Sequence, residues 1–149
     1  GYDPDVQHGL IAATADISSG IKWSNVSNSI TNATGTAIGT GLSNTNTIIT
    51  NQGATATNYA AGLARAYTGG GFLDWYLPSK EELNKLYLNK TAIGGFTGTF
   101  YWSSTEGSTS SQNLNYAWGQ FFTTGQQKDY DNTYGAKTTL QSVRAVRSF

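Results

Sequence analysis

The stretch from Asn113 to Gly135 has the composition of a contact surface. It reads NLNYAWGQFFTTGQQKDYDNTYG, which mixes Tyr, Trp and Phe with amides, hydroxyls and carboxylates and has almost no aliphatic residues. Binding loops use such mixtures, because rigid rings supply contact area while polar side chains supply adaptable hydrogen bonds. The pattern therefore favours ligand binding, and partly buried surface packing of the rings is the alternative.

Three oxygen-bearing side chains in this stretch have spacing that could bind Ca²⁺. Asp129 and Asp131 are two residues apart and Asn132 follows directly. Loop calcium sites use carboxylate and amide oxygens at such spacing, but a carboxylate pair alone is a weak pointer. A solvated turn is the favoured interpretation, and we expect no metal and no other cofactor.

The sequence offers no convincing catalytic set. His8 is the single histidine and lies beside a glycine, so no nucleophile–base arrangement can be assembled around it. Glu106, after the residues YWSST, is expected to be a structural hydrogen-bond acceptor rather than a general acid or base. The glycine-rich pieces TGTAIGTG and TGGGF lack the lysine of a phosphate-binding loop. We therefore expect a protein that is not an enzyme.

Three further charged residues are expected to be structural. Asp74 stands next to Trp75, and burial there would raise its pKa, but such an aspartate more often caps a turn or pairs with an arginine. Arg144 and Arg147 lie in an apolar C-terminal stretch. We expect them to pair with Asp74, Glu106 or backbone carbonyls rather than to bind an anionic ligand.

The composition narrows the class of protein and of partner. Charged residues make up 12% of the 149 residues and the formal net charge is zero, with no run of Lys or Arg. No nucleic-acid partner is therefore expected, and no apolar run reaches the roughly 18 residues of a membrane span. The chain has no Cys, which excludes disulfides and thiolate metal sites. Its length suits one domain, residues 1–149.

Two helices are predicted from apolar periodicity. Residues 56–67 place Ala60, Leu63, Ala64 and Tyr67 on one stripe, with Thr57 or Asn58 as the N-cap and Gly69–Gly71 as the end. Residues 78–90 contain a capping box. Its members are Ser79 and Glu82, and Leu83, Leu86 and Tyr87 form the buried stripe that follows.

The rest of the chain is predicted to form loops and strands. Residues 24–58 are rich in Ser, Thr, Asn and Gly, and we expect ordered loops held to the core by scattered apolar residues, with a short helix near 45–51. Residues 10–13 are a candidate buried strand, and Trp23 a core anchor. Residues 117–122 alternate in strand fashion, as do residues 143–149. Helices followed by strands indicate an α+β fold with a mostly antiparallel twisted sheet and long ordered loops.

A series of recognisable blocks occurs in order along the chain. The blocks are HGLIAA (8–13), Trp23, AIGTGLSNT (37–45), DWYLPSKEELNKLY (74–87), YWSSTE (101–106), AWGQFF (117–122) and VRAVRSF (143–149). This series resembles the domain family known from the C-terminal domain of Legionella collagen-like protein, which also supplies variable proteins of diversity-generating retroelements. The resemblance implies a C-type-lectin-like fold. The Glu-Pro-Asn and Trp-Asn-Asp motifs of sugar-binding C-type lectins are missing from the sequence.

In such retroelement targets, fixed scaffold residues alternate with diversified ones toward the C-terminus, and adenine-directed mutagenesis yields Asn, Tyr, Ser, Asp, Thr and Gly. By this resemblance the scaffold positions are Tyr101, Trp102, Ser103, Ser104, Thr105, Glu106, Ala117, Trp118, Gln120, Phe122, Gly125, Gln127, Lys137, Val143, Arg144, Ala145, Val146, Arg147 and Phe149. The diversified, ligand-binding positions are Asn113, Asn115, Tyr116, Gly119, Phe121, Thr123, Thr124, Gln126, Lys128, Asp129, Tyr130, Asn132 and Tyr134.

The expected function is recognition of a protein or glycan ligand on another cell's surface by a diversified domain on a virion or cell surface. We expect the rings of Tyr116, Phe121, Tyr130 and Tyr134 to face outward. A fixed surface adhesin that binds polysaccharide or glycosaminoglycan is the alternative. An enzyme of the sulfatase-activating type is disfavoured, because such proteins usually need Cys. Membership of a larger chain or oligomer is left open.

Overall fold

The computed structural model describes residues 8–26, 28–53, 55–108 and 112–149, without the side chains of residues 112 and 113. It confirms an α+β fold, compatible with a C-type-lectin-like arrangement. The helices are α1 (Gly41–Gln52), α2 (Ala60–Ala66), α3 (Lys80–Leu88), α4 (Lys90–Ile93) and α5 (Gln112–Asn115). The strands are β1 (Leu10–Ala12), β2 (Ser18–Ile21), β3 (Phe100–Glu106), β4 (Ala117–Phe121), β5 (Gln127–Lys128), β6 (Gln141–Val143) and β7 (Val146–Ser148).

The strands form two sheets. The larger has the order β2-β6-β3-β4-β5, in which β3 and β6 are parallel and the other pairs antiparallel. The smaller pairs β1 with β7 in antiparallel fashion. The sheet is therefore mostly antiparallel, as the sequence predicts.

Strand β3 is the centre of the molecule, because all seven of its residues are buried. Its side chains alternate between two hydrophobic clusters. Phe100 and Trp102 belong to a cluster that contains Trp23, Tyr59 and residues of α1 and α2. Tyr101 belongs to the other cluster, with side chains of α3 and β7. We call β3 and these two clusters the frame.

Helix α3 begins at the predicted capping box. The Ser79 hydroxyl accepts from the Glu82 backbone N–H, and the Glu82 carboxylate accepts from the Ser79 N–H at 2.7 Å. The same carboxylate accepts from the Gly39 N–H at 2.8 Å, just before α1. One buried side chain thus fixes the start of α3 against the segment that leads into α1.

Helices α1 and α2 differ from the sequence prediction. The short helix expected near 45–51 is the longest described helix, with 12 residues. Its buried face carries the polar residues Asn44, Thr45 and Gln52 as well as Ile48, so apolar periodicity alone underestimates it. Helix α2 starts only at Ala60, because residues 56–58 form a separate 3₁₀ turn and no side chain caps α2.

Polar groups of α1 and β3 hold residues 24–26 and 28–40 in place, where apolar residues were expected to do so. Val26, Ile30 and Ile38 are exposed. Instead the Gln52 amide oxygen accepts from the backbone N–H groups of residues 25 and 26 and from the hydroxyl of residue 24. Glu106 binds the backbone at residues 31 and 32. The order of this Ser/Thr/Asn-rich stretch thus comes from buried hydrogen bonds, which sequence periodicity does not show.

The C-terminal residues 143–149 form two strands rather than the single one predicted. The chain leaves β6 at Val143 and enters the small sheet at Val146. Arg144 lies between the two strands. Its Nε donates to Asp16 at 2.8 Å, and its Nη1 donates to the Ala13 and Gly94 carbonyls. Residues 10–13, predicted as a buried strand, supply β1, which is only partly buried.

The other arginine pairs as predicted. Arg147 donates from Nε and Nη2 to the two oxygens of Asp74 at 2.7 and 2.8 Å. The hydrogen bond from Arg147 lowers the pKa of Asp74, so the raised pKa considered for a buried Asp74 does not occur. Both arginines therefore bind within the fold.

Candidate functional site

Residues 115–138, which we call the C-terminal segment, run across the outer part of the larger sheet through β4, β5 and a turn of π type at Asp131–Gly135. An isolated antiparallel bridge pairs Tyr116 with Ala136. Beside it, the Lys137 N–H donates to the Asn115 carbonyl at 2.9 Å. The segment is thus closed at its two ends by backbone hydrogen bonding.

Two of the four rings expected to face outward pack on the frame instead. Phe121 lies 5.0 Å from Phe100 between ring centroids and 4.6 Å from Tyr134, and Tyr134 in turn contacts Phe100 at 5.8 Å. Both rings are half-buried against the first hydrophobic cluster. The reason is that β4 pairs with β3 in a register that sets Phe121 opposite Phe100.

The other two rings reach the surface to different degrees. Tyr130 is 49% exposed. Tyr116 is half-buried, and its hydroxyl donates to the Asn132 Oδ1 at 2.7 Å. Of the four predicted rings, Tyr130 therefore presents most area to a ligand, while Tyr116 orients a neighbouring amide.

Lys128 joins the rings of the C-terminal segment. Its Nζ lies 5.5 Å from the Tyr130 centroid, 5.7 Å from Phe121 and 5.9 Å from Tyr134, within reach of cation–π attraction. Its Nζ is also 3.8 Å from the Asp131 carboxylate. Because its ammonium group lies near three rings and one carboxylate at once, Lys128 holds these side chains together and is not an isolated cation.

The two aspartates point to separate partners. Asp129 is buried and accepts from the Ser108 N–H and hydroxyl at 3.0 and 2.7 Å. Asp131 has a φ of +84° and accepts from the Thr133 N–H at 2.8 Å. That backbone hydrogen bond, with Lys128 nearby, lowers the pKa of Asp131. In the described part of the chain no three acidic, His or Cys side chains gather where a metal could bind.

Gly119 is a predicted ligand-binding position that lies inside the frame. It is buried in β4, and a Cβ at this residue would collide with the Phe100 ring and approach the Tyr101 carbonyl. Any larger residue would displace β3 from β4. With Asp129, it is thus inaccessible in this structure.

The exposed predicted positions are Asn115, Thr123, Thr124, Gln126, Tyr130 and Asn132. Thr123, Thr124 and Gln126 belong to the turn between β4 and β5, and the others flank the Tyr116–Ala136 bridge or the turn of π type. Asn113 lies in α5, and its side chain is outside the described part of the chain.

A cavity of about 350 Å³ opens beside the Tyr116–Asn132 hydrogen bond. It brings together three predicted site residues from two ends of the C-terminal segment. The described residues that line it are Asn28, Leu114, Asn115, Tyr116, Asn132, Ala136, Lys137 and Thr138. Asn28 and Thr138 were not predicted from the sequence, because they come from loops far apart in the chain and neither stands in a recognisable motif.

A buried ion pair lies beneath this cavity. The Lys137 Nζ is 2.6 Å from Glu106 Oε1 and donates to the Ser29 carbonyl at 2.6 Å, and the two side chains are 3% and 0% exposed. Glu106 also accepts from the Thr31 and Asn32 N–H groups, which confirms it as a structural acceptor. Burial lowers the pKa of Lys137, and Glu106 acts against that shift.

A larger cavity, of about 870 Å³, lies elsewhere, between His8–Leu10, α3, α4 and Phe149. It contains no predicted ligand-binding position. Its buried carboxylate, Glu82, already binds the starts of two helices. Size alone would favour this cavity as a site, but it contains none of the predicted positions, whereas the smaller cavity is lined by Asn115, Tyr116 and Asn132.

Comparison with known proteins gives one assignment. The family model described as the Lcl C-terminal domain matches residues 12–147. Among curated proteins, none matches the chain significantly. A membrane-spanning helix of sufficient length and apolarity is not found in the described residues.

Proposed function

The chain belongs to the Lcl C-terminal domain family, and from this premise we propose that it is a ligand-binding domain. Its contact surface is the exposed part of the C-terminal segment, and its ligand is a protein or glycan on another cell's surface. The domain acts by binding, without catalysis. Its own location is the surface of a cell or of a virion.

The observation that supports the proposal is the separation of exposed from buried side chains. The exposed predicted positions have hydroxyl, amide or phenol groups, while neighbouring β3 is buried along its whole length. Substitutions at exposed positions usually change stability by at most about 0.5 kcal/mol. The surface can therefore vary in sequence while the frame keeps its structure.

We further propose that these positions are diversified by a retroelement. Apart from Gln126, their residue types are among the outcomes expected of adenine-directed mutagenesis. The positions that the structure buries, Gly119 and Asp129, are expected to vary less than the exposed ones. Phe121 and Tyr134 are expected to accept only residues that fill the space beside Phe100.

A combined substitution tests the binding surface. Thr123, Thr124, Gln126, Tyr130 and Asn132 are randomised together, and the variants are displayed and screened for folding and for binding to intact cells. We expect most variants to remain folded and cell binding to change from one variant to another. General unfolding, or cell binding that is the same in every folded variant, would contradict the proposal.

Gene context tests the diversification separately. A near-copy of the C-terminal coding region that differs at adenines, next to a reverse transcriptase gene, is the expected arrangement. Related genes with identical C-terminal segments would instead indicate the fixed adhesin that binds polysaccharide.

A further inference from the structure

We propose that the cavity beside Tyr116 and Asn132 is a subsite for one uncharged sugar residue of a glycan. The inference rests on the proposed function and names the ligand class of the same surface. Its volume of about 350 Å³ lies at the small end of the roughly 300–1,000 Å³ range of ligand pockets. It suits a single ring better than a folded peptide segment.

The polar lining suits hydroxyl groups. Asn28, Asn115 and Asn132 each bring a carboxamide, which has two N–H donors and an acceptor oxygen. Sugar hydroxyls both donate and accept, so a set of amides can satisfy several of them at once. Asn132 is already oriented, because its Oδ1 accepts from the Tyr116 hydroxyl at 2.7 Å. Its NH₂ group has no partner among the described residues and is available to a ligand.

The apolar lining suits the other faces of a sugar ring. Leu114, Ala136 and the half-buried ring of Tyr116 supply carbon surface between the amides. A pyranose has the same division, with C–H groups on its faces and hydroxyls around its rim. Pockets that combine apolar walls with a few placed polar groups orient their ligands well.

The charge balance argues for an uncharged sugar over a sulfated or carboxylated one. Among the described residues of the lining, Lys137 is the single charged one, and its ammonium group is bound by Glu106 and the Ser29 carbonyl. The same described residues include no carboxylate. An anionic sugar would therefore lose hydration without gaining a cation, whereas a neutral sugar meets no such penalty.

The bridge below the cavity makes the site rigid. Tyr116 pairs with Ala136, the Lys137 N–H donates to Asn115, and the Lys137 carbonyl accepts from the Trp23 and Ser24 N–H groups. The lining residues on both sides are thus fixed to the frame. A preformed site loses less free energy to ordering when it binds.

NMR titration of the whole chain tests this inference. The probes are methyl glycosides of glucose, galactose, mannose and N-acetylglucosamine, with a sulfated methyl galactoside for comparison. We expect at least one neutral glycoside to cause saturable shifts at residues 116, 132 and 138. Asn132→Ala should weaken that binding about tenfold, in line with loss of one hydrogen bond, and Tyr116→Phe should weaken it as well.

Asn46→Ala is the matched control, since Asn46 is an exposed asparagine of α1 outside both the cavity and the C-terminal segment, and it should leave the affinity unchanged. The affinity for the neutral glycoside should also be the same at low and high salt, since no ion pair contributes. Absence of shifts at the cavity with all neutral probes, or stronger and salt-sensitive binding of the sulfated probe, would overturn the inference. The same preparation is also tested for binding to intact cells. Cell binding without glycoside shifts would contradict the sugar subsite alone, whereas absence of cell binding would contradict the proposed function.

Discussion

Strand β3 and the C-terminal segment are neighbours in one sheet, yet they place their side chains in opposite environments. Every residue of β3 is buried. In the C-terminal segment buried, half-buried and exposed residues follow one another within a few positions. The difference shows that the proposed binding surface is not a separate loop attached to the fold. It belongs to a segment whose other residues complete the core.

The predicted binding residues fall on both sides of the boundary between buried and exposed residues. Gly119 and Asp129 are buried, and Phe121 and Tyr134 are half-buried against the first hydrophobic cluster. Replacing all four predicted rings by Ser, which would be harmless if they all faced outward, is therefore expected to destabilise the protein. The following variants measure where the boundary lies.

The largest effect is expected at the centre of the frame. Trp102 is fully buried and its indole N–H donates to the Ile21 carbonyl at 2.9 Å. Trp102→Ala should lower the free energy of unfolding by about 4 kcal/mol, because large core truncations leave a cavity. Chemical denaturation measures this change. A loss below about 1 kcal/mol would mean that β3 is not the centre of the core.

The ion pair beneath the cavity should come next. Lys137→Met leaves the Glu106 carboxylate buried without its cation and should cost about 3 kcal/mol. The double variant Glu106→Gln/Lys137→Met should recover much of that loss, because no uncompensated charge remains. Equal stabilities of the single and double variants would show that the loss does not come from an unpaired Glu106 carboxylate, and a single variant as stable as the unaltered protein would show that Lys137 contributes little.

Alkaline pH tests the frame through its buried tyrosines. Burial, with the nearby Glu82 carboxylate, raises the pKa of Tyr76 to about 12. Between pH of about 10 and 12 the unfolded state loses this proton before the folded state, so stability falls as pH rises, by roughly 2 kcal/mol at the upper end. Tyr76→Phe should flatten this part of the stability profile. Buried Tyr59 and Tyr101 also have raised pKa values, so some slope should remain.

The smallest changes in stability are expected for the half-buried and exposed rings of the C-terminal segment. Phe121→Ala removes a half-buried ring from beside Phe100 and should cost about 1.5 kcal/mol, whereas Tyr130→Ala should change stability by at most about 0.5 kcal/mol. Thermal unfolding compares the two. Equal losses would mean that the rings do not differ in their support of the frame. Tyr130→Ala should nevertheless reduce cell binding, and Phe121→Ala should affect it mainly through folding.

Local sequence signals predicted the parts of the fold that depend on neighbours in the chain. The Ser79–Glu82 capping box needs residues three apart, and it is present as expected. The Arg147–Asp74 pair was one of the pairings expected for the two arginines, whereas the Asp16 partner of Arg144 was not foreseen. Helix α1 was underestimated, since its burial depends on Asn44 and Gln52 finding partners in distant loops.

The candidate site, like the fold, was predicted from the sequence only in part. Composition indicated the stretch, and the family resemblance placed Tyr116 and Asn132 among its binding positions, but neither predicted that they form a hydrogen bond beside a cavity. It could not separate Phe121 from Tyr130, because both are rings among polar residues and only the register of β4 against β3 distinguishes them. Asn28 and Thr138 required the three-dimensional structure, as their proximity results from chain crossings and not from spacing.

The Tyr116–Ala136 bridge has a consequence for variation in length. Because the chain is fastened where it leaves the frame and where it returns, residues inserted in the turn between β4 and β5 enlarge a loop whose ends are already held together. Closure entropy rises only slowly with loop size, by roughly 0.6 kcal/mol for each doubling. Related chains can therefore differ in the reach of this turn as well as in its side chains, with little loss of stability.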